Sequence, residues 1–466
     1  MKCQPHLADS VAYADRFREH LLAHLVCPGR HTITSLLTTN GHQFEDWSAD
    51  YQLYAKQRAD PAALFNQVRI EVEALRDPTH PLVAALDDTI LRKTGKRIPG
   101  AAYRKDPLGP PFNINLVWAQ RMIQLSAGVP GPAGEVRMIP IAFRDASTPR
   151  KPRKTAPPEE WAGYRELLRQ TNLNRRALGM IQALQQSRTS SGGATPPLRL
   201  LVDGSYTNRK ILRELPPQTT LIGRIRKDAH LSRLPEQQAC CGRKRLYGED
   251  APTPEELRQD PNVPWQHVGV NVAGKKQSMR VKTLAPLRWR AAGGLRLRLV
   301  VIAPVPYLKT VGGHRRYRQP AYLICTDPDL PVEQIVQEYV WRWDIEMNHR
   351  DEKTLLGVGQ AQVRNKASVE SVPAAAVAAY AMLHVAAIHA FGWHAKPGAL
   401  PLPKWRDPEQ KKRASTLDLL NELRREMWAG AIRPTHLPDF ATTGPVHTKP
   451  EKRLPSLYDA IFYASA

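Results

Sequence analysis

Four side chains near residue 345 combine residue types and a spacing that could perform chemistry on an anionic substrate. They are a phenol, a guanidinium, a carboxylate and an ammonium group: Tyr339, Arg342, Glu346 and Lys353. Their separations of three, four and seven residues predict one shared face of an α-helix over about four turns. A solvated face with an ordinary Arg342–Glu346 ion pair would explain only two of the four.

Two aspartates follow apolar runs that are typical of buried strands. Asp88 lies at the end of VAAL and Asp203 at the end of LRLLV. Open α/β sheets bind ligands where strands emerge at the sheet edge, although either residue alone would also serve as a turn or helix cap. With Glu346 they supply hard oxygen ligands that suit Mg²⁺ or Mn²⁺. Two such ions can activate a nucleophile and stabilise the leaving oxygen in phosphoryl transfer.

The charge balance indicates a polyanionic partner. The 466 residues include 67 Lys plus Arg and 44 Asp plus Glu, a formal net charge of +23. Basic clusters recur at 144–154, 224–227, 243–245, 315–318 and 411–413 rather than in one tail. Because each neutralised phosphate releases a counterion, this distribution favours a nucleic-acid duplex and steep salt dependence of binding. The alternative is that the charge only maintains solubility.

The elements that must position these residues alternate in a recognisable order. Residues 8–28 and 61–76 have helical periodicity, and PGRHTITSLLTTNG between them is typical of a turn, a cap and a short helix. That pattern fits a small DNA-binding unit or an ordinary helical bundle equally well. Three strands (VAALDDT, INLVWAQRMIQL, VRMIPIAF), a long helix over 158–187 and a β-α-β unit from LRLLV to TTLIGRIR follow. RNase H-like domains use this order.

The remaining segments are less specific. Residues 230–325 are predicted to be a β-rich insertion, followed by helices to about 391, and TLDLLNELRREMWAG predicts one more helix near the C-terminus. Residues 372–393 carry no formal charge over a membrane-spanning length, but their alanine content and two histidines favour a buried helix. Five cysteines without paired CxxC spacing indicate neither a disulfide framework nor a zinc cage. The N-terminal residues show no export signal, so a reducing, cytoplasmic location is expected.

The spacing Y-(2)-R-(3)-E-(6)-K resembles the signature of bacterial DDE transposases of the insertion-sequence, cut-and-paste class. LDDTILRKTGKRIPG resembles the stretch around their first aspartate, and LLVDGSYTNRKIL the stretch around their second. The likeness covers about residues 80–390. It implies an α/β fold with an RNase H-like catalytic core, a mixed sheet with flanking helices. We expect a helical DNA-binding region at 1–78, the catalytic domain with its insertion at 79–395, and a basic, partly helical region at 396–466.

The resemblance also implies the roles of individual residues. Asp88, Asp203 and Glu346 would be catalytic and would bind two Mg²⁺ ions, or Mn²⁺. Asp88 is preferred to Asp87 because the similar proteins use the aspartate that directly precedes threonine. The three partners of Glu346 in the signature would bind DNA phosphates at the transposon end: Tyr339, Arg342 and Lys353.

The predicted activity is cleavage of transposon ends and joining of the freed 3′-hydroxyl to target DNA. The expected partners are the inverted ends, the target duplex and a second copy of the chain as a homodimer on DNA, without a membrane. The predicted location is the bacterial cytoplasm, in association with the nucleoid. Two alternatives remain open: an RNase H-like nuclease without strand transfer, and an inactive DNA-binding protein derived from a transposase.

Overall fold

A computed structural model describes residues 11–106, 109, 112–113, 115–189, 196–236, 244–272, 274–310, 312–393 and 413–428. Its first part is helical: α1 (Val11–Val26), α2 (Ile33–Thr39), α3 (Ser48–Ala55) and α4 (Pro61–Ala74). The Thr32 side chain accepts a hydrogen bond from the Ser35 amide and caps α2, and Asp60 caps α4 in the same way. The predicted turn, cap and short helix are therefore confirmed.

An antiparallel group of strands follows. It contains β1 (Leu82–Arg92), β2 (Ala102–Lys105), β3 (Leu116–Pro130) and β4 (Val136–Asp145). Strand β3 pairs antiparallel with each of the other three. The three predicted strands are present in the predicted order, and β2 is an additional short strand.

The helix predicted over 158–187 is two helices, α5 (Pro158–Thr171) and α6 (Leu173–Thr189). The chain is extended at Asn172, with φ −65° and ψ 155°, and the Asn172 side chain accepts the Arg175 amide at 2.9 Å. Helix α5 has no buried residue, whereas α6 packs Ala177 and Ile181 against the sheet. The single-helix prediction is wrong because only the second half has a core to pack on, and a side-chain cap starts that half anew.

The β-α-β unit is confirmed as β5 (Leu198–Val202), α7 (Arg209–Arg213) and β6 (Thr219–Arg224). Strand β5 runs parallel to both β1 and β6. The strand order is therefore β4-β3-β1-β5-β6, with the antiparallel group on one side of β1 and the parallel pair on the other.

The β-rich segment extends this sheet. It comprises β7 (Leu231–Arg233), β8 (Asp250–Ala251), α8 (Pro254–Gln259), β9 (Gln266–Val272), β10 (Lys275–Trp289), β11 (Leu297–Ile302), β12 (Pro306–Leu308), β13 (Arg315–Tyr317) and β14 (Ala321–Cys325). The order continues β6-β14-β11-β10-β7-β8, and β9 pairs with β10. In the described part of the chain, the sheet has twelve strands, while β12 and β13 form a separate two-stranded ribbon.

Four helices close the described structure: α9 (Val332–Trp341), α10 (Trp343–Thr354), α11 (Ser368–Phe391) and α12 (Thr416–Trp428). The last is the helix predicted from TLDLLNELRREMWAG. Among the described residues, α11 alone is long and apolar enough to cross a membrane, and 72% of its most apolar window is buried inside the fold. It packs against the N-terminal helices and β4 as the predicted buried helix.

Cys27 and Cys325 are buried free thiols. The other three cysteines, most of the C-terminal region and parts of the basic clusters at 243–245 and 411–413 lie outside the described residues.

Candidate active site

Strand β1 brings two adjacent aspartates to the centre of the sheet, on opposite faces. Successive side chains of a strand point to alternate sides. Val83 and Ala85 pack in the apolar cluster beneath α9 and α10, whereas Leu86 packs in the cluster that includes α6. By this alternation, Asp87 lies on the same face as Val83 and Ala85, and Asp88 lies on the same face as Leu86. Asp87 therefore lies on the face that α10 covers.

Asp88, the predicted first ligand, is engaged on the opposite face. The buried Tyr206 hydroxyl donates a hydrogen bond to Asp88 Oδ1 at 2.7 Å. Arg121 Nε lies 3.0 Å from Asp88 Oδ2. Both oxygens thus have a protein partner, and neither partner comes from α9 or α10.

Asp203 directly follows β5, at the position next to Asp87. Leu86 pairs with Val202 in the parallel register, so the following residues of the two strands are Asp87 and Asp203. Asp203 Oδ1 accepts the amides of Ser205 at 2.9 Å and Tyr206 at 3.4 Å. The carboxylate therefore closes the turn into α7 and also stands beside Asp87, as expected for parallel strands that end at one edge.

The helix predicted to carry the four-residue signature is interrupted at Arg342. The Arg342 carbonyl accepts the Ile345 amide, three residues on, at 3.2 Å, which is tighter than an α-helical turn. Helix α9 packs on β6 and β9, whereas α10 packs on β1 and β4. The prediction of one unbroken helix is corrected in this detail, because the two halves follow different strands.

Three members of the signature remain together across this junction. Arg342 Nη2 lies 2.6 Å from Glu346 Oε1, and its guanidinium carbon lies 5.6 Å from the centre of the Tyr339 ring. Lys353 lies two turns beyond Glu346 on α10, where burial lowers its pKa, Glu352 raises it and Arg92 lowers it. The structure thus groups Tyr339, Arg342 and Glu346 and places Lys353 further along.

Arg342 also joins the helix to the sheet. Its Nη1 lies 3.5 Å from Asp87 Oδ2, so one largely buried guanidinium bridges Asp87 and Glu346. The pKa of Asp87 is raised to about 6. Burial is the main cause and the charge of Asp203 adds to it, while the charges of His349 and Arg342 act in the opposite direction. Asp87 is therefore a half-buried carboxylate with too little positive charge around it.

Two further residues of α10, His349 and Glu352, lie near this carboxylate site and were not predicted from the sequence. His349 is buried, its Nδ1 lies 3.4 Å from Glu352 Oε2, and its Nε2 has no hydrogen-bond partner within the described residues. Glu352 Oε1 also has none. Buried polar atoms are nearly always paired, so these atoms indicate a site that takes a further ligand. The spacing signal was available, since His349 follows Glu346 by three residues and so shares its helical face.

The donor chemistry fits a hard divalent cation. Carboxylates surround the Arg342 bridge, and the raised pKa of Asp87, caused first by burial, marks a place where additional positive charge would be stabilising. In the geometry of the described residues, no group of three or more His, Cys, Asp or Glu side chains converges tightly enough to hold an ion. Asp87, Asp203 and Glu346 share one face, and Arg342 stands between two of them.

The order β4-β3-β1-β5-β6, with Asp87 inside β1 and Asp203 directly after β5, defines an RNase H-like enzyme core. The expected strand end at Asp88 is wrong, because β1 continues to Arg92 through its pairing with β3. The family model of the DDE superfamily endonucleases matches residues 7–296, which is more than half of the chain, so the protein belongs to that family. Members of the family are typically dependent on divalent metal ions and act on DNA. The match includes Asp87, Asp88 and Asp203 and ends before α9. No curated protein matches the chain.

Family membership confirms the RNase H-like core and the DDE class of enzyme expected from the sequence. The Y-(2)-R-(3)-E-(6)-K signature lies beyond the matched residues and stays a prediction, as do the assigned site residues and the domain boundaries.

Proposed function

We propose that this protein is a DDE transposase that cleaves transposon ends and joins the 3′-hydroxyl to target DNA. The observation that carries the proposal is the Arg342 bridge, which ties Glu346 of α10 to Asp87 on the strand beside Asp203. Arg342 and Asp87 are 255 residues apart in sequence, and their contact directs acidic groups of α10 and β1 to one face of an RNase H-like sheet.

Glu346, Asp203 and one residue of the Asp87–Asp88 pair would hold two Mg²⁺ or Mn²⁺ ions. When bound, such ions supply a deprotonated nucleophile and charge stabilisation at the leaving oxygen. The sequence predicted Asp88 for the first position. The alternation of β1 favours Asp87, because Asp87 shares a face with Glu346 while Asp88 is paired with Tyr206 and Arg121.

The remaining signature residues would orient DNA. The planar guanidinium of Arg342 can exchange its carboxylate partners for a phosphate, which it can bind through two hydrogen bonds. It stays protonated at any physiological pH, so this binding does not depend on titration of Arg342. Tyr339 lies beside it. Lys353 would meet a phosphate further along the backbone as a point charge. The proposed partners are the inverted ends, target DNA and a second copy of the chain, in the bacterial cytoplasm.

The test uses Asp203→Asn and Glu346→Gln with a duplex that carries the genomic sequence flanking the coding region. We expect metal-dependent cleavage to fall about a hundred- to a thousand-fold while DNA affinity persists. Asp228→Asn is the matched control, because Asp228 is exposed and its ion pair among the described residues is with Arg226. Full cleavage by either site variant would refute the proposed site.

A second arm separates transposase from nuclease. Pre-nicked end DNA with a free 3′-hydroxyl is supplied together with a target plasmid, and joined product is measured. A transposase joins the two, whereas a nuclease without strand transfer only cuts. Absence of cleavage and joining by the wild-type chain with either metal would favour the inactive DNA-binding alternative.

A further inference from the structure

The charge of the chain is concentrated in one acid-free segment. Residues 261–326 contain twelve lysines and arginines and no aspartate or glutamate. The segment contains β9 to β14, and its strands β14, β11, β10 and β9 extend the sheet beyond β6, on the side away from β1. A surface with no counter-charge of its own is suited to an external polyanion.

Within this segment, the ribbon of β12 and β13 stands apart from the sheet. Tyr307 pairs with Arg316 and Leu308 with Arg315, in a two-stranded sheet of its own. All six strand residues are exposed. The ribbon starts next to β10, since the Ala303 amide donates to the Arg280 carbonyl. Its base is closed by the Arg318 amide, which donates to the Val305 carbonyl.

The exposure of its apolar side chains indicates that the ribbon has a partner. Leu308 is 57% exposed and Tyr317 is 62% exposed. Isolated two-stranded hairpins are at best marginally stable in water, so such a ribbon gains order when it docks. In the described residues, Lys309, Arg315 and Arg316 form no ion pair with a carboxylate, which leaves these cations available to that partner.

The side chains are distributed over both faces of the ribbon. Cross-strand partners share a face, so Tyr307 and Arg316 lie on one face, and Leu308 and Arg315 lie on the other. The Arg318 guanidinium lies 5.4 Å from the centre of the Tyr307 ring. A groove of duplex DNA has a phosphate backbone on each side, and cations on both faces match that arrangement. The major groove is wide enough for a two-stranded ribbon.

We propose that the β12–β13 ribbon is a duplex-DNA-binding arm, with Arg315 and Arg316 on phosphates of opposite strands. The inference rests on the proposed function for DNA as substrate, and it adds a contact outside the carboxylate site. The arm supplies sequence-independent affinity and holds the duplex against the extended end of the sheet.

The experiment compares two double variants that remove the same charge. Arg315→Ala/Arg316→Ala removes the ribbon arginines, and Arg169→Ala/Arg175→Ala removes two exposed arginines that pair with Glu166 and Glu214 and lie outside the basic clusters. Duplex affinity is measured by fluorescence anisotropy over a series of NaCl concentrations. We expect the ribbon variant to bind about tenfold more weakly at low salt, with a log–log salt slope shallower by about two. The control should keep the wild-type slope.

An unchanged slope in the ribbon variant overturns the proposal. So does selective loss of binding to polyglutamate or to anionic vesicles while duplex binding is retained, since the arm would then serve another class of partner. Arg315→Lys/Arg316→Lys should keep the slope, which separates loss of charge from a folding defect.

Cleavage at saturating DNA distinguishes this proposal from the proposed function. The ribbon variant should still cleave with metal, whereas Asp203→Asn should keep the wild-type salt slope and lose cleavage. If the ribbon variant shows the expected shallower salt slope but the wild-type chain does not cleave DNA, the proposed function is refuted and the proposal of a DNA-binding arm stands.

Discussion

The N-terminal helices hold a buried aspartate and the central sheet a half-buried one, and the two surroundings differ. Asp50 on α3 is fully buried and accepts contacts from His20 Nε2 at 2.7 Å, Arg16 Nη1 at 2.8 Å and His42 Nδ1 at 3.1 Å. Burial acts to raise the pKa of Asp50, but the hydrogen bonds from His20 and His42 outweigh it and hold the pKa well below the usual value.

Within the described residues, Asp87 on β1 has one ion-pair contact, with Arg342 at 3.5 Å, and burial raises its pKa to about 6. The negative charge of Asp50 is fully balanced by neighbouring hydrogen-bond donors and cations, whereas that of Asp87 is only partly balanced. A buried carboxylate whose charge is balanced by its own fold has a structural role, whereas one left unbalanced in a cleft with other acids is a candidate for ligand binding. The difference separates the scaffold of this protein from its site.

The largest expected effect is the loss of stability when the well-compensated aspartate, Asp50, is removed. Asp50→Ala leaves His20, His42 and Arg16 without their shared acceptor and should lower the free energy of unfolding by about 3–5 kcal/mol. Urea denaturation followed by circular dichroism measures it, and Asp15→Ala is the control because Asp15 is exposed on α1. Cleavage per folded molecule should be unchanged; a loss of cleavage in the folded variant would place the cluster in the active site.

The next effect distinguishes the two aspartates of β1. Asp87→Asn should lower metal-dependent cleavage about a hundred- to a thousand-fold and abolish the rise in melting temperature on adding Mg²⁺. Because it removes a buried charge, it should raise the free energy of unfolding at pH 7 by about 1–3 kcal/mol.

Asp88→Asn should instead lower the free energy of unfolding by about 1–3 kcal/mol, because Arg121 loses its carboxylate partner. It should keep the Mg²⁺ response. The opposite pattern, with the Mg²⁺ response lost in Asp88→Asn and kept in Asp87→Asn, would establish Asp88 as the first ligand, as the sequence predicted.

The last prediction concerns the pH dependence of stability. Burial lowers the pKa values of His20, His24 and His384, and that of His31 to about 4. Each of these groups binds more protons when unfolded, so its contribution to stability is present above pH 6.5 and is lost as the pH falls through its folded pKa. For His31, whose folded pKa is about 4, the loss should approach about 1.4 kcal/mol per pH unit between these values.

Asp87 acts in the opposite direction. Its folded pKa of about 6 lies above the unfolded value of 3.8, so protonation between those values favours the folded state. Urea denaturation at pH 7, 6 and 5 should show falling stability, with a steeper fall in Asp87→Asn than in the wild type. A shallower fall in the variant would contradict the raised pKa assigned to Asp87.

Local patterns predicted much of the fold. The Thr32 cap, the alternating strands and the β-α-β unit each depend on neighbours within a few residues, and they are found where the sequence places them. The break at Asn172 was missed because the Leu-, Arg- and Gln-rich sequence around it favours helix throughout. What ends the first helix is the lack of a core for α5 to pack on.

The candidate site was predictable in composition but not in geometry. Spacing alone grouped Arg342 with Glu346, and the ends of apolar runs identified Asp203. The choice between Asp87 and Asp88 depends on which face of β1 is covered by a helix 250 residues later, and no local pattern carries that information. His349 shares a helical face with Glu346 by its spacing, but its relevance follows from the effect of its charge on Asp87, which only the tertiary structure brings about.

The amino-acid sequence by itself determined the charge of this protein, the order of its strands and helices and the residue types available for chemistry, because these follow from composition and short-range periodicity. Only the tertiary structure decided which acids share a face, which remain uncompensated and where the acid-free segment extends the sheet. Those properties arise from contacts between residues far apart in the chain, where burial and neighbouring charge set each side chain's energy.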